Sequence, residues 1–261
     1  MGQRFSERVE DRLHRRFESM KNVNLALALV AGAAIASTAN ADLLAYWNFN
    51  ASTPASAPGT LGVLTSTAVN AGAGTLSFGG GLVQNTKFNT TPDGQVGTFA
   101  GNTLNSLFGD VSGGALSVVG SIGNQNTNPV DANGGWVQFA ISTSGYTNLV
   151  MSFAGRGTST GFGSVNSAVN TVQTSTDGVN FANFTTYESR QTSFQTYTFN
   201  FGAGLNNQST VFVRLRLDGA TSGNGNNRID NVQFNATAIP APGALALVGL
   251  GGLVAARRRR A

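Results

Sequence analysis

The chain of 261 residues has no cysteine and a single histidine, His14. Beyond that histidine, the chain can build neither a Ser-His-Asp nor a Cys-His nucleophile system, and it lacks the usual nitrogen and sulfur ligands of zinc. Disulfides are excluded as well, so packing, hydrogen bonds or an ion must hold any domain together. Glutamate is almost as scarce: after Glu18 the only one is Glu188. A glycosidase flanks the scissile bond with two carboxylates. No spacing among Asp42, Asp93, Asp110, Asp131, Asp177, Glu188, Asp218 and Asp230 singles out such a pair. The residues therefore give no catalytic site and no cofactor site, and the chain reads as a non-enzyme.

A basic body is also missing, although the formal net charge is +4. Six of the 16 Lys and Arg lie in residues 1–41 and four are Arg257, Arg258, Arg259 and Arg260. Between Asp42 and Ile239, six basic residues face eight acidic ones. That stretch has no patch to neutralise phosphates, which excludes nucleic acid as a partner.

What is present is two processing signals around one domain. Residues 1–19 are crowded with charge and fit an extension ahead of the true start. From Met20, Lys21 supplies a positive n-region, Leu25 to Ala36 an apolar core, and Ala39-Asn40-Ala41 a cleavage site. Residues 20–41 are thus a predicted signal peptide with a helical core, removed by signal peptidase after engagement of the export translocon, leaving Asp42 first. Residues 42–238 are the predicted ectodomain, long enough for one β-sandwich. Residues 239–261 open with Ile-Pro-Ala-Pro-Gly and continue as an apolar segment, Ala244 to Ala256, closed by the four arginines. Those 13 apolar residues make about 20 Å of helix against a bilayer core of about 30 Å. The expectation is a short transmembrane helix with its arginines cytoplasmic.

The ectodomain is rich in Gly, Asn, Ser and Thr, which favour turns and disfavour helix. Leu43 to Phe49 reads as a strand. Weaker candidates lie at Leu61 to Thr65, Thr75 to Phe78 and Ala115 to Val119, with much of 50–135 left as loop. From Trp136 onward apolar residues alternate: Val137, Phe139 and Ile141; Leu149, Met151 and Phe153; Tyr197, Phe199 and Phe201; Val211, Val213, Leu215 and Leu217. Ser175-Thr176-Asp177-Gly178 reads as a hairpin turn leading into a strand at Val179 to Phe184, and Asn227 to Phe234 as the last strand. The fold class is all-β, a sandwich.

The tail resembles the PEP-CTERM anchor of exosortase-processed bacterial surface proteins: Pro240, Pro242 and Gly243 sit where that family has Pro-Glu-Pro-Gly, with Ala241 in place of the glutamate. Thr147 to Thr158, Ser175 to Phe181, Val213 to Ala220 and Asn227 to Val232, with the opening Ala45 to Phe49, look like the jelly-roll domain often found ahead of that anchor. The resemblance implies an exosortase as partner, a temporary stay in the inner membrane, and a final place in the cell envelope or outside the cell, in a bacterium that makes exopolysaccharide.

Two functional readings follow: a non-catalytic envelope or matrix protein, or a carbohydrate-binding module. Glycan binding would need an exposed aromatic with polar neighbours; Tyr46, Trp47, Trp136, Tyr146 and Tyr187 are available, but both tryptophans are expected in the core. Arg228, Asp230, Val232 and Phe234 alternate on the last strand, which places Asp230 on the core face. A buried carboxylate needs a partner, and Arg156, Arg214 and Arg216 are the candidates. A calcium site built on Asp230 is the alternative.

Overall fold

The computed structural model describes residues 41–52, 61–65, 67–87, 93–107, 109–124, 130–163 and 169–240. The extension, the predicted signal peptide up to residue 40 and the apolar anchor, including Ala39, Pro242, Gly243 and Arg257 to Arg260, lie outside these residues. Ala41 to Ala238 forms one compact unit. Ala41 is the first residue of its first strand, paired with Thr237.

The unit is a β-sandwich of antiparallel sheets. Twelve strands are described: β1 Ala41–Trp47, β2 Ala71–Gly72, β3 Thr75–Gly79, β4 Val96–Ala100, β5 Gly114–Val119, β6 Trp136–Ile141, β7 Tyr146–Gly157, β8 Asn170–Ser175, β9 Ala182–Tyr187, β10 Gln195–Asn200, β11 Val211–Arg216 and β12 Asn226–Ala238. The first sheet runs β10-β7-β12-β1-β2, with β5 pairing the start of β12 and β4 pairing β5. The second runs β3-β6-β11-β8-β9. Residues of alternating polarity place one face of each strand inward. Trp47 and Phe234 from the first sheet meet Phe139 from the second, with centroids 5.0 Å apart for Trp47–Phe139 and 6.1 Å for Trp47–Phe234. Trp47 is a core residue, as expected; Trp136 is not, and stands half-buried on the outer side of the second sheet.

The hairpin from β8 is longer than the Asp-Gly signature suggests. Asp177 accepts the amides of Val179 and Asn180, both at 2.8 Å, which withdraws those N–H groups from the ladder. The next strand therefore begins at Ala182 rather than Val179. Leu61 to Thr65 forms only an isolated bridge, Gly62 with Thr98.

The last strand corrects the expected face of Asp230. Asp230 pairs with Ala154 but Gln233 pairs with Ser152, so β12 carries one extra residue there, and Asn231 adopts φ 51°. Such a bulge reverses side-chain parity. Ile229, Val232, Phe234 and Ala236 all reach the core, while Asp230 points to the outer side with Arg228. It is nevertheless fully buried, because the loop from Gly101 to Gly113 covers it. A Cβ on Gly101 would come within 2.6 Å of the Asp230 carboxylate, so only glycine allows the loop to lie this close.

Candidate functional site

The two outer faces of the sandwich differ in kind. On the first sheet, the 101–113 loop is tied down by a polar network. Asp230 accepts from the Asn102 amide at 2.8 Å, the Asn102 side chain at 3.1 Å and the Asn231 amide at 2.9 Å. Its partners are thus N–H groups, not Arg156, Arg214 or Arg216, and they take up lone pairs that a cation would need. Tyr46, also fully buried on this face, places its hydroxyl 2.9 Å from Asp110 and 3.0 Å from Asn231. Asn231 donates to the carbonyls of Asn102 and Leu104, both at 2.9 Å. Burial pushes the Asp230 carboxyl up to about 7, against the pull of its three donors and with help from the neighbouring Asp110 charge. Among the described residues, no group of three or more His, Cys, Asp or Glu gathers where it could hold a metal ion.

The outer face of the second sheet has no such cover among the described residues. One row of side chains crosses all five strands in register: Ser77 opposite Gln138, Gln138 opposite Arg214, Arg214 opposite Gln173, and Gln173 opposite Asn183. The Arg214 guanidinium lies 4.0 Å from the Trp136 ring centroid and 3.5 Å from that of Phe181. Gln138 accepts its Nη2 at 2.8 Å and its Nε at 3.2 Å. Partial burial lowers the Arg214 pKa from the ordinary guanidinium value, which leaves it a cation at neutral pH. Trp136 lies over Gly79, where a Cβ would meet the ring at 2.5 Å. Gln173 donates to Asn183 at 2.9 Å. The neighbouring Arg216 is paired with Asp218 at 3.0 Å.

Arg214 is therefore a clamped cation. Two aromatic rings lie against its guanidinium, Nε and Nη2 are bound to Gln138, and Nη1 has no described partner. The Gln138 and Asn183 amide nitrogens and the Ser77 hydroxyl, in the same row, likewise have no described partner. Donors held on rigid strands lose little entropy when a ligand arrives. A guanidinium edge flanked by amides suits carboxylates and paired hydroxyls.

Sequence reading had named Arg214 as a partner for Asp230 and had placed Trp136 inside. It missed Gln138, Gln173, Phe181 and Asn183. Alternation held a signal for Trp136: it is out of phase with Val137, Phe139 and Ile141. Among the other aromatics considered, Tyr187 is buried, Tyr146 half-buried, and Arg156 sits 5.9 Å from the Phe194 ring. Pro240 is exposed.

The fold is an antiparallel β-sandwich with a polar and aromatic row across the outer face of one sheet. No protein-family model matches the chain, and no curated protein matches it. Solved structures do. The chain is similar to the xylan-binding domain CBM22-1 of Paenibacillus barcinonensis Xyn10C, at 9% identity and a TM-score of 0.38, over 77% of this chain and 97% of that one. It is similar to the K3 cleaved adhesin domain of Lys-gingipain from Porphyromonas gingivalis, at 16% identity and 0.39, over 75% and 99%. It is also similar to a family 61 carbohydrate-binding module in complex with β-1,4-galactotriose, at 10% and 0.34, over 62% and 86%.

Proposed function

We propose that this chain is a non-catalytic polysaccharide-binding protein, with a jelly-roll-like module displayed outside the cytoplasm. The observation that carries the proposal is the Arg214 clamp, an oriented cation between Trp136 and Phe181 with amides of Gln138, Gln173 and Asn183 in one cross-sheet row. The ligand is a neutral or acidic polysaccharide, an exopolysaccharide of the producing cell being the natural source. Affinity electrophoresis of the full chain in gels containing neutral and uronate-rich polysaccharides tests it. The parent is expected to be retarded, and Arg214→Ala to lose at least about tenfold in affinity, equal to 1.4 kcal/mol. Mobility unaffected by every polysaccharide, or equal retardation of Arg214→Ala, overturns the proposal.

The setting belongs to the same reading. The signal peptide ending at Ala41 and the Pro240 motif with its arginines suit export, a temporary membrane stay and processing by an exosortase. Intact mass of the protein recovered from cells is expected to show Asp42 first and loss of the tail near Pro240. Retention of residues 1–19 would sink the export half and leave the binding half standing.

A further inference from the structure

A second concavity lies where the edge strand of each sheet comes near the other. It has a volume of about 610 Å³ and is lined by Val169, Thr186, Tyr187, Glu188, Gln191, Gln195 and Tyr197. Thr186 and Tyr187 end β9, and Gln195 and Tyr197 open β10, so the walls come from both sheets. This size falls within the range of about 300–1,000 Å³ typical of small-molecule sites.

Its aromatic wall is fixed from behind. Tyr197 stacks on Phe153 with centroids 5.2 Å apart and an interplanar angle of 27°. Tyr187 meets Tyr197 edge-on at 5.3 Å, and Phe153 at 5.8 Å. The Tyr197 hydroxyl donates to the Glu188 carbonyl at 2.7 Å, which locks its ring. The connecting loop is held as well: the Gln191 amide donates to the Ser189 carbonyl at 2.8 Å, and the Gln191 carbonyl accepts from Gly157 at 3.1 Å. In contrast, the side chains of Thr186, Glu188, Gln191 and Gln195 have no described hydrogen bonds. A rigid aromatic wall is thus ringed by unengaged hydroxyl, amide and carboxylate groups.

The charge of the lining selects the ligand. Glu188 is its only ionisable side chain besides the two tyrosines. A carboxylate accepts from hydroxyls and ammonium groups and repels anions. Amides both donate and accept, as a polyol demands, and a tyrosine ring offers an apolar face to the C–H side of a sugar. We infer that this edge pocket is a second binding site, specific for a hydroxyl-rich sugar residue that carries no negative charge. It shares no lining residue with the Arg214 row, whose cation favours the opposite charge, and the two sites stand or fall independently.

Calorimetric titration of the full chain, in an Arg214→Ala background that silences the other face, tests the inference. Three hexasaccharide probes are used: cellohexaose, a glucosamine hexamer and a galacturonate hexamer. Cellohexaose or the glucosamine hexamer is expected to bind and the galacturonate hexamer not. Glu188→Gln and Gln195→Ala, both at exposed positions, should each weaken binding about fivefold to tenfold, while Tyr197→Phe keeps the ring and lowers affinity less. Binding of the uronate alone, absence of heat with all three probes, or unchanged affinity in both Glu188→Gln and Gln195→Ala overturns the site. Loss of binding in Arg214→Ala that the pocket variants do not reproduce would leave the Arg214 reading intact and remove this one.

Discussion

The outer face of the first sheet and the outer face of the second are built from the same residue types and do opposite things. Each carries an ionisable group among asparagines, glutamines and an aromatic. On the first sheet that group is Asp230, closed under a loop with its oxygens bonded to Asn102 and Asn231. On the second it is Arg214, held by two rings and Gln138, with Nη1 lacking a described partner. Satisfied polar groups under cover specify structure; oriented polar groups without cover are available to a ligand. The difference is made by one loop and by the glycine that lets it approach.

Exchanging the two ionisable residues for alanine should expose that difference most strongly. Asp230→Ala orphans the amides of Asn102 and Asn231 beneath the loop, at a cost of about 3 kcal/mol. Arg214→Ala removes a half-exposed stack and should cost less than about 1 kcal/mol. Urea unfolding midpoints of the two variants measure the gap. Equal losses would mean that the Asp230 network holds nothing the Arg214 stack does not.

A smaller effect distinguishes the faces by pH. Asp230 in the folded state holds its proton up to about 7, whereas an unfolded aspartate releases it near about 3.9. Between those values the folded chain binds more protons than the unfolded one. The contribution of this group is therefore fully present below the unfolded value and falls as pH rises through the folded one, by at most about 1.4 kcal/mol per pH unit. Stability measured from pH 4 to pH 8 should decline more steeply in the parent than in Asp230→Asn. Parallel profiles would show that the carboxylate ionises as freely as one in water.

Much of the fold was legible because half-buried strands announce themselves. β6, β7 and β11 alternate, and their inward residues were identified by phase alone. β4 was invisible for a physical reason: Val96, Gly97, Thr98 and Phe99 are all buried, so no alternation exists to read. β8 was implied only by the turn that follows it, since its residues are mostly polar. The bulge at Asn231 defeated the face assignment of Asp230, because a single left-handed asparagine reverses phase and its one trace in the sequence is the three-residue step from Ile229 to Val232. The candidate site was the least legible part. Gln138, Arg214, Gln173 and Asn183 become neighbours only through strand register, and register is a property of pairing rather than of any one segment.

The placement of β12 bears on how the molecule carries load. In the anchored form proposed above, traction from a bound polymer would leave the domain through the strand that continues into the tail. That strand has β7 along one side and β1 and β5 along the other. Tension applied along it is shared among many hydrogen bonds in shear, rather than peeling them from an edge one after another. In that form the tether would continue from a strand paired along both its sides.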